Sequence, residues 1–211
     1  MLYQCNYFIY DIETGGLDYT KHPIIEIAII GINEKLEEVF KYENYVKPYN
    51  YLIVEPGALK ANGINMDSVY NNGIEVRQLY EDLKKLFKQY KVGRAKPILV
   101  GHNIYNFDNG FVEYVFDLFE KRKSDSNLYN YVEKYCFDTI FHARQKTGHI
   151  DVENYKLGTV CRDMGVELID AHRAMNDTQA TRDLFIKFIE NMRSNEVAKA
   201  EKNTFRKTFR F

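Results

Sequence analysis

Asp11 and Glu13 stand two residues apart in DIETGGL, Asp108 closes GHNIYNFD, and His172 precedes Asp177 in HRAMND. Each block lies where an apolar run meets a turn or a helix start, the places where a scaffold displays reactive groups. Residues 6–12 (NYFIYDI) form a β-branched and aromatic run that ends in the Thr14-Gly15-Gly16 turn, which predicts a central strand running out into a loop. Side chains two apart on a strand share a face, so Asp11 and Glu13 project together. Two carboxylates that close repel each other unless a cation neutralises them. A D-x-E pair alone is also met as a solvated strand-end acid; the further acids and the histidine turn the reading toward bound metal.

The elements that must position these groups follow from the hydrophobic pattern. Residues 23–32 (PIIEIAIIGI) predict a second strand, and residues 37–46 (EEVFKYENYV) a third, joined through Asn33-Glu34 as an antiparallel meander. A short helix over 58–63 closes at Gly63, and an amphipathic helix over 74–90 places Val76, Leu79, Leu83, Leu86 and Phe87 on one face. A buried strand at 97–100 leads into Gly101-His102-Asn103, a helix spans 109–121, and a last strand covers 135–137. Asp138 caps the short helix after it. Helices over 157–164 and 178–192 complete the chain, the former stopped by Gly165. Three antiparallel strands followed by two parallel ones predict an α/β fold, a ribonuclease-H-like mixed five-stranded sheet flanked by helices.

At 211 residues the chain fits one domain with a tail: residues 1–193 as the globular unit and 194–211 as a basic aromatic tail. Segment 121–131 and the tail read as mobile. Between positions 199 and 211 the tail carries five basic residues against Glu201, with Phe205, Phe209 and Phe211 interleaved, so it is a nucleic-acid contact, a docking peptide for a protein, or a frayed end. The net charge of −1 neither favours nor excludes nucleic acid, because a metal site is itself acidic. Cys5, Cys136 and Cys161 are odd in number and lack C-x-x-C spacing, which argues for free thiols rather than a disulfide framework or zinc cluster. With no signal-like N-terminal segment and no apolar run long enough to span a bilayer, the expectation is an intracellular, cytoplasmic protein without membrane contact.

Taken together, the three blocks resemble the DEDDh branch of the 3′-to-5′ exonuclease superfamily, the DnaQ-like group that includes polymerase proofreading subunits, repair exonucleases and oligoribonucleases. The likeness extends over roughly residues 6–192. Its motifs are Asp11-x-Glu13-Thr14-x-Gly16-Leu17, then Phe107-Asp108 preceded by Gly101-His102-Asn103, then His172 followed by Asp177. A sister branch has Tyr four residues before the last acid; Arg173 occupies that position here, which favours the histidine branch. The resemblance implies that Asp11, Glu13 and Asp177 hold one divalent ion and that Asp11 and Asp108 hold a second. All-oxygen ligation selects Mg²⁺ or Mn²⁺, and such a pair, about 4 Å apart, clamps the attacking and leaving oxygens of an in-line displacement. His172 takes the general-base role by the same resemblance, since an unperturbed imidazole titrates near neutrality.

The turn Thr14-Gly15-Gly16 would let backbone amides approach a terminal nucleotide. By resemblance Leu17 is an apolar wedge beside the last base, with plain core packing as its alternative, Asn103 belongs to the substrate loop, and Ala58, Leu59, Asn62, Gly63 and Ile64 line the same pocket. Phe107 is either the family's stacking residue or a packed core aromatic. His102 reads as a structural residue of its turn, while Asp18, Asp138, Asp163 and Asp183 read as solvated charges. The expected activity is release of nucleoside monophosphates from single-stranded or frayed DNA 3′ ends, with partners that include such an end and a polymerase or other replication protein reached through the tail. RNA or oligoribonucleotide trimming is the alternative enzyme, and a non-catalytic adaptor on a polymerase or nucleic acid is the alternative of another class.

Overall fold

The structure is a computed structural model that describes residues 4–121, 126–146 and 153–208. Its centre is a five-stranded sheet in the order β3-β2-β1-β4-β5. β1 (Tyr7–Thr14) runs antiparallel to β2 (Ile24–Ile32), which runs antiparallel to β3 (Glu38–Tyr45). On its other side β1 pairs parallel with β4 (Ile98–Gly101), and β4 with β5 (Phe137–Asp138). This is the mixed sheet that the hydrophobic pattern predicts.

The pleat sorts β1 into two faces. Phe8, Tyr10 and Ile12 enter a core with Leu79, Leu83 and Phe87 of α3 (Val76–Gln89) and Phe111, Val112, Val115 and Phe116 of α4 (Asp108–Phe119). Ile9 lies on the opposite face with Ile30, Val100 and Phe185 of α7 (Ala174–Thr208). Asp11 and Glu13 share the parity of Ile9, so they point beneath the start of α7 and not into the large core. β2 is buried at all nine positions, as expected of a strand paired on both edges and covered on both faces. Its Glu26 is a carboxylate inside an otherwise apolar strand.

Between β3 and α3 the chain forms α1 (Pro56–Asn62), closed by Gly63 in the left-handed region at φ 66°, and α2 (Met66–Asn72). The pattern did not predict α2: it is seven residues long, with Val69 as its buried residue, too short for a helical period to register. The Asn65 side chain caps it by accepting from Asp67 N at 2.8 Å. After β5 come α5 (Thr139–Lys146) and α6 (Leu157–Met164), the latter at its predicted bounds. α7 is longer at both ends than the predicted 178–192 helix and runs through position 194, the expected start of the tail. Of the segment expected to be mobile, residues 126–129 are packed, with Ser126, Asn127 and Leu128 buried, while 122–125 fall outside the described residues. The three cysteines are free, and Cys5 and Cys161 are buried. Among the described residues, no helix is long and apolar enough to cross a membrane.

Candidate active site

Three segments converge at the end of β1. β1 presents Asp11 and Glu13; β4 leads through residues 102–107 to Asp108 at the first position of α4; and the turn before α7 presents His172, with Asp177 in that helix's first turn. One ligand atom from each of Glu13, His172 and Asp177 lies within 4.8 Å of the others. Asp108 is 4% exposed and Asp177 8%, whereas His172 stands in solvent. The His172 backbone is in the left-handed region at φ 72°, and its N–H donates to Asp177 Oδ2 at 3.1 Å. Asp177 Oδ1 is buried without a hydrogen-bond partner among the described residues. A buried carboxylate oxygen left unpaired is costly unless a cation or donor meets it.

Electrostatics agree. Burial, then Asp108, Asp177, Glu13 and Glu26, push the Asp11 carboxyl well above its usual range. Glu13 is pushed up to about 8, first by burial and then by Asp177, Glu26 and Asp108, with a hydrogen bond from Asn62 opposing them. Asp108 is raised chiefly by burial against backbone hydrogen bonds at Asp108 and Ile12, and Asp177 chiefly by burial against the His172 N–H bond. Carboxylates that resist ionising in one place are a site prepared for positive charge. The donor set of four carboxylates and one imidazole, with one oxygen orphaned, fits hard divalent cations. Asp11, Glu13, Asp108 and Asp177 would hold them.

The flanking residues divide by what they touch. Leu17 is 84% exposed and so is not a packed core residue. Thr14 is buried, donating to Gly16 O at 2.7 Å, and the Gly15 N–H is committed to Pro23 O at 2.8 Å. The glycines have a packing reason of their own: a Cβ on Gly16 would lie 2.6 Å from the His22 ring. Phe107 is half-buried and packs on Phe111 at 5.1 Å between centroids, and Asn103 adopts φ 67°. Asn62, buried, hydrogen-bonds Glu13 and holds the amide of Ile64, so the segment around Gly63 does reach the site, with Ala58 and Leu59 on the preceding helix half-buried. His102 is structural: its ring bridges Thr139 Oγ1 and Tyr155 O, both at 2.8 Å.

Two further residues belong here, Glu26, which the sequence pattern does not single out, and Asp138, which it marks as a cap and a solvated charge. Glu26 faces Glu13 across the β1–β2 ladder and is held by Arg173; a lone acid in PIIEIAIIGI was the available signal. Asp138 is not a solvated charge. It is buried, caps α5 through Ile140 N at 3.1 Å, and also accepts from Asn103 N at 2.7 Å and Tyr105 N at 3.1 Å, pinning the loop that delivers Asp108. Asp18 pairs with Lys21, Asp183 with Arg182, and Asp163 is exposed, so these three stay outside the site.

A mixed β3-β2-β1-β4-β5 sheet bearing acids at the central strand, a helix entry and a final helix start defines a ribonuclease-H-like nuclease domain. The chain belongs to the exonuclease family whose model, RNase_T, matches residues 8–185, and within it to the DnaQ-like DEDDh group of 3′-to-5′ exonucleases. Curated relatives include a PolC-type DNA polymerase III of Oceanobacillus iheyensis, 28% identical over 93% of this chain, and one of Caldanaerobacter subterraneus subsp. tengcongensis, 30% identical over 88%. The chain spans 12% of the length of each. Among solved structures, E. coli exonuclease I in complex with a dT13 oligonucleotide aligns over 93% of this chain and 43% of its own, at TM-score 0.73 and 18% identity. A zinc-bound complex of the same enzyme with single-stranded DNA aligns over 90% and 41%, at TM-score 0.74 and 19% identity.

Proposed function

We propose that this domain hydrolyses the terminal phosphodiester of single-stranded or frayed DNA 3′ ends, releasing nucleoside 5′-monophosphates with the help of two Mg²⁺ or Mn²⁺ ions. The observation that carries this reading is the convergence of Glu13, His172 and Asp177 within 4.8 Å, with Asp177 Oδ1 buried and without a hydrogen-bond partner among the described residues. When bound, the ions supply charge neutralisation at the phosphate and at the attacking and leaving oxygens. Asp11, Glu13 and Asp177 hold one ion, and Asp11 with Asp108 the other. His172, exposed at the mouth, accepts the proton of the attacking water, and its exposure lets that proton pass to solvent. Leu17 keeps the last base apart from its neighbour, with Phe107, Asn103 and the Thr14–Gly16 turn shaping the floor beneath it.

The choice of DNA rests on the polymerase relatives and on the oligodeoxynucleotide complexes of the structural neighbours. Association with a polymerase, with residues 194–211 reaching the partner or the strand, belongs to the same proposal. Matched DNA and RNA oligomers, single and paired, incubated with Mg²⁺, Mn²⁺ or EDTA and mapped by product, test it. Stepwise shortening of DNA from the 3′ end that EDTA stops is the expected result. Faster trimming of RNA would move the substrate to ribonucleic acid, and full-length survival of every oligomer with metal present would leave a binding adaptor.

A further inference from the structure

Glu13 of β1, Glu26 of β2 and Tyr45 of β3 lie side by side in one row across the sheet, paired Glu13 with Glu26 and Glu26 with Tyr45. Arg173 bridges the last two. Its Nη2 donates to Glu26 Oε1 at 3.0 Å and to Tyr45 Oη at 3.1 Å, and its Nε lies 3.3 Å from the same Glu26 oxygen. The other Glu26 oxygen accepts the Ala174 N–H at 3.3 Å, the first amide of α7. Glu26 is 1% exposed and Arg173 46%, so a surface arginine meets a carboxylate sunk beside Asp11, Glu13 and Asp177. The residue immediately before Arg173 is His172, held in a left-handed conformation that costs a non-glycine residue and persists only when its surroundings impose it.

We propose that Arg173 is a positioning residue: closed on Glu26 and Tyr45, it fixes the turn before α7 in register with Glu13 and so aims the His172 imidazole at the cation cradle. This rests on the exonuclease reading and extends it to a residue outside the acid and histidine set. The fork geometry matters, because the guanidinium reaches two partners at once from one plane, which a lysine ammonium on its flexible stem does not reproduce. Glu26 does two things in this arrangement. It clamps both the arginine and the start of the helix, and it needs the arginine to be tolerated where it is.

The test uses the full chain with Arg173→Met, Arg173→Lys, Glu26→Gln and the double variant Glu26→Gln/Arg173→Met. Arg182→Met, which removes two ion pairs made from the same helix, to Glu38 of β3 and to Asp183, serves as control. With Mn²⁺, hydrolysis of thymidine 5′-(p-nitrophenyl) phosphate and of a labelled thymidine oligomer should lose kcat by roughly 100-fold in Arg173→Met, the scale expected of a catalytic group misplaced by about 1 Å. KM for the oligomer should stay within about twofold, because no group that touches phosphate is removed. Arg173→Lys should recover part of the loss, the double variant should lose no more than the worse single one, since the two side chains act as a unit, and the control should match the parent.

A readout independent of turnover is the paramagnetic broadening of the His172 imidazole resonances by bound Mn²⁺. It should be strong in the parent protein and weakened in Arg173→Met, at equal Mn²⁺ affinity by calorimetry. A raised KM with kcat intact would make Arg173 a phosphate-binding residue and overturn the proposal, as would unchanged broadening. Should the parent hydrolyse neither substrate, the exonuclease reading fails while the broadening still decides whether Arg173 places His172.

Discussion

Asp11 sits at the focus of the site: burial and then every other acid around it, Asp108, Asp177, Glu13 and Glu26, raise its carboxyl. Removing that charge and keeping the shape should therefore separate catalysis from folding. Asp11→Asn is expected to abolish turnover, while its Tm in EDTA stays equal to that of the parent or rises by about 2–4 °C, the effect of relieving roughly 1 kcal/mol in a domain this size. A fall in Tm of several degrees would make Asp11 a structural residue. Glu13 gives the matching pH prediction. Its folded value of about 8 lies above its ordinary 4.5, so the folded state binds the proton more tightly than the unfolded chain does. That contribution is complete below about pH 4 and is lost as pH rises through 8; Asp11, Asp108 and Asp177 act in the same direction. Melting scans in EDTA should accordingly show Tm falling between about pH 5 and pH 8. Mg²⁺ or Mn²⁺ should flatten the fall by taking the place of the protons. A flat profile in EDTA would mean that these acids do not share one site.

At the scale of elements, the site is a meeting of strand parity with helix entry, and the two were unequally visible beforehand. Parity was legible: alternation in NYFIYDIE places Asp11 and Glu13 on one face whatever lies over it, and β1 keeps that face. The sequence pattern starts the last helix at 178, just after Asp177, yet that helix begins at Ala174, whose amide donates to Glu26 across the sheet. Such a bond joins positions 148 apart and leaves no local periodicity to read. Asp138 was legible as a cap and illegible as a clamp for the same reason, since its bonds to Asn103 and Tyr105 exist only once β4 and β5 are paired. This second role carries its own prediction. Asp138→Ala strands three amides that a buried carboxylate served, which should cost about 3 kcal/mol or more and lower Tm by roughly 6–12 °C. Because two of those amides belong to the loop that delivers Asp108, kcat of the folded fraction should fall as well, measured well below the new Tm. Full kcat in a destabilised protein would confine Asp138 to capping α5.

The whole molecule is organised around one long helix. α7 opens at the acid cluster and runs 35 residues, about 50 Å, through the position where the sequence pattern suggested a separate tail. Its described side chains pack as far as its middle: Phe185, Phe188 and Ile189 fill the core, Arg193 donates to Glu34 O at 3.1 Å, and Ser194 Oγ bonds within the helix. Residues 195–211 hold five basic side chains against Glu196 and Glu201, 5 − 2 = +3, on a chain whose net charge is −1. Their removal therefore makes the remainder more acidic, −1 − 3 = −4, around a site that must admit a polyanion. Two consequences can be measured separately. A chain ending at Ser194 should keep its Tm and its kcat on thymidine 5′-(p-nitrophenyl) phosphate, because it retains every residue named above in the core and the acid cluster. Its affinity for a single-stranded oligomer should drop, and the slope of log affinity against log salt should shrink by about 0.7 for each phosphate that the shortened chain no longer neutralises. An unchanged slope with unchanged affinity would mean that residues 195–211 neutralise no phosphate of the strand.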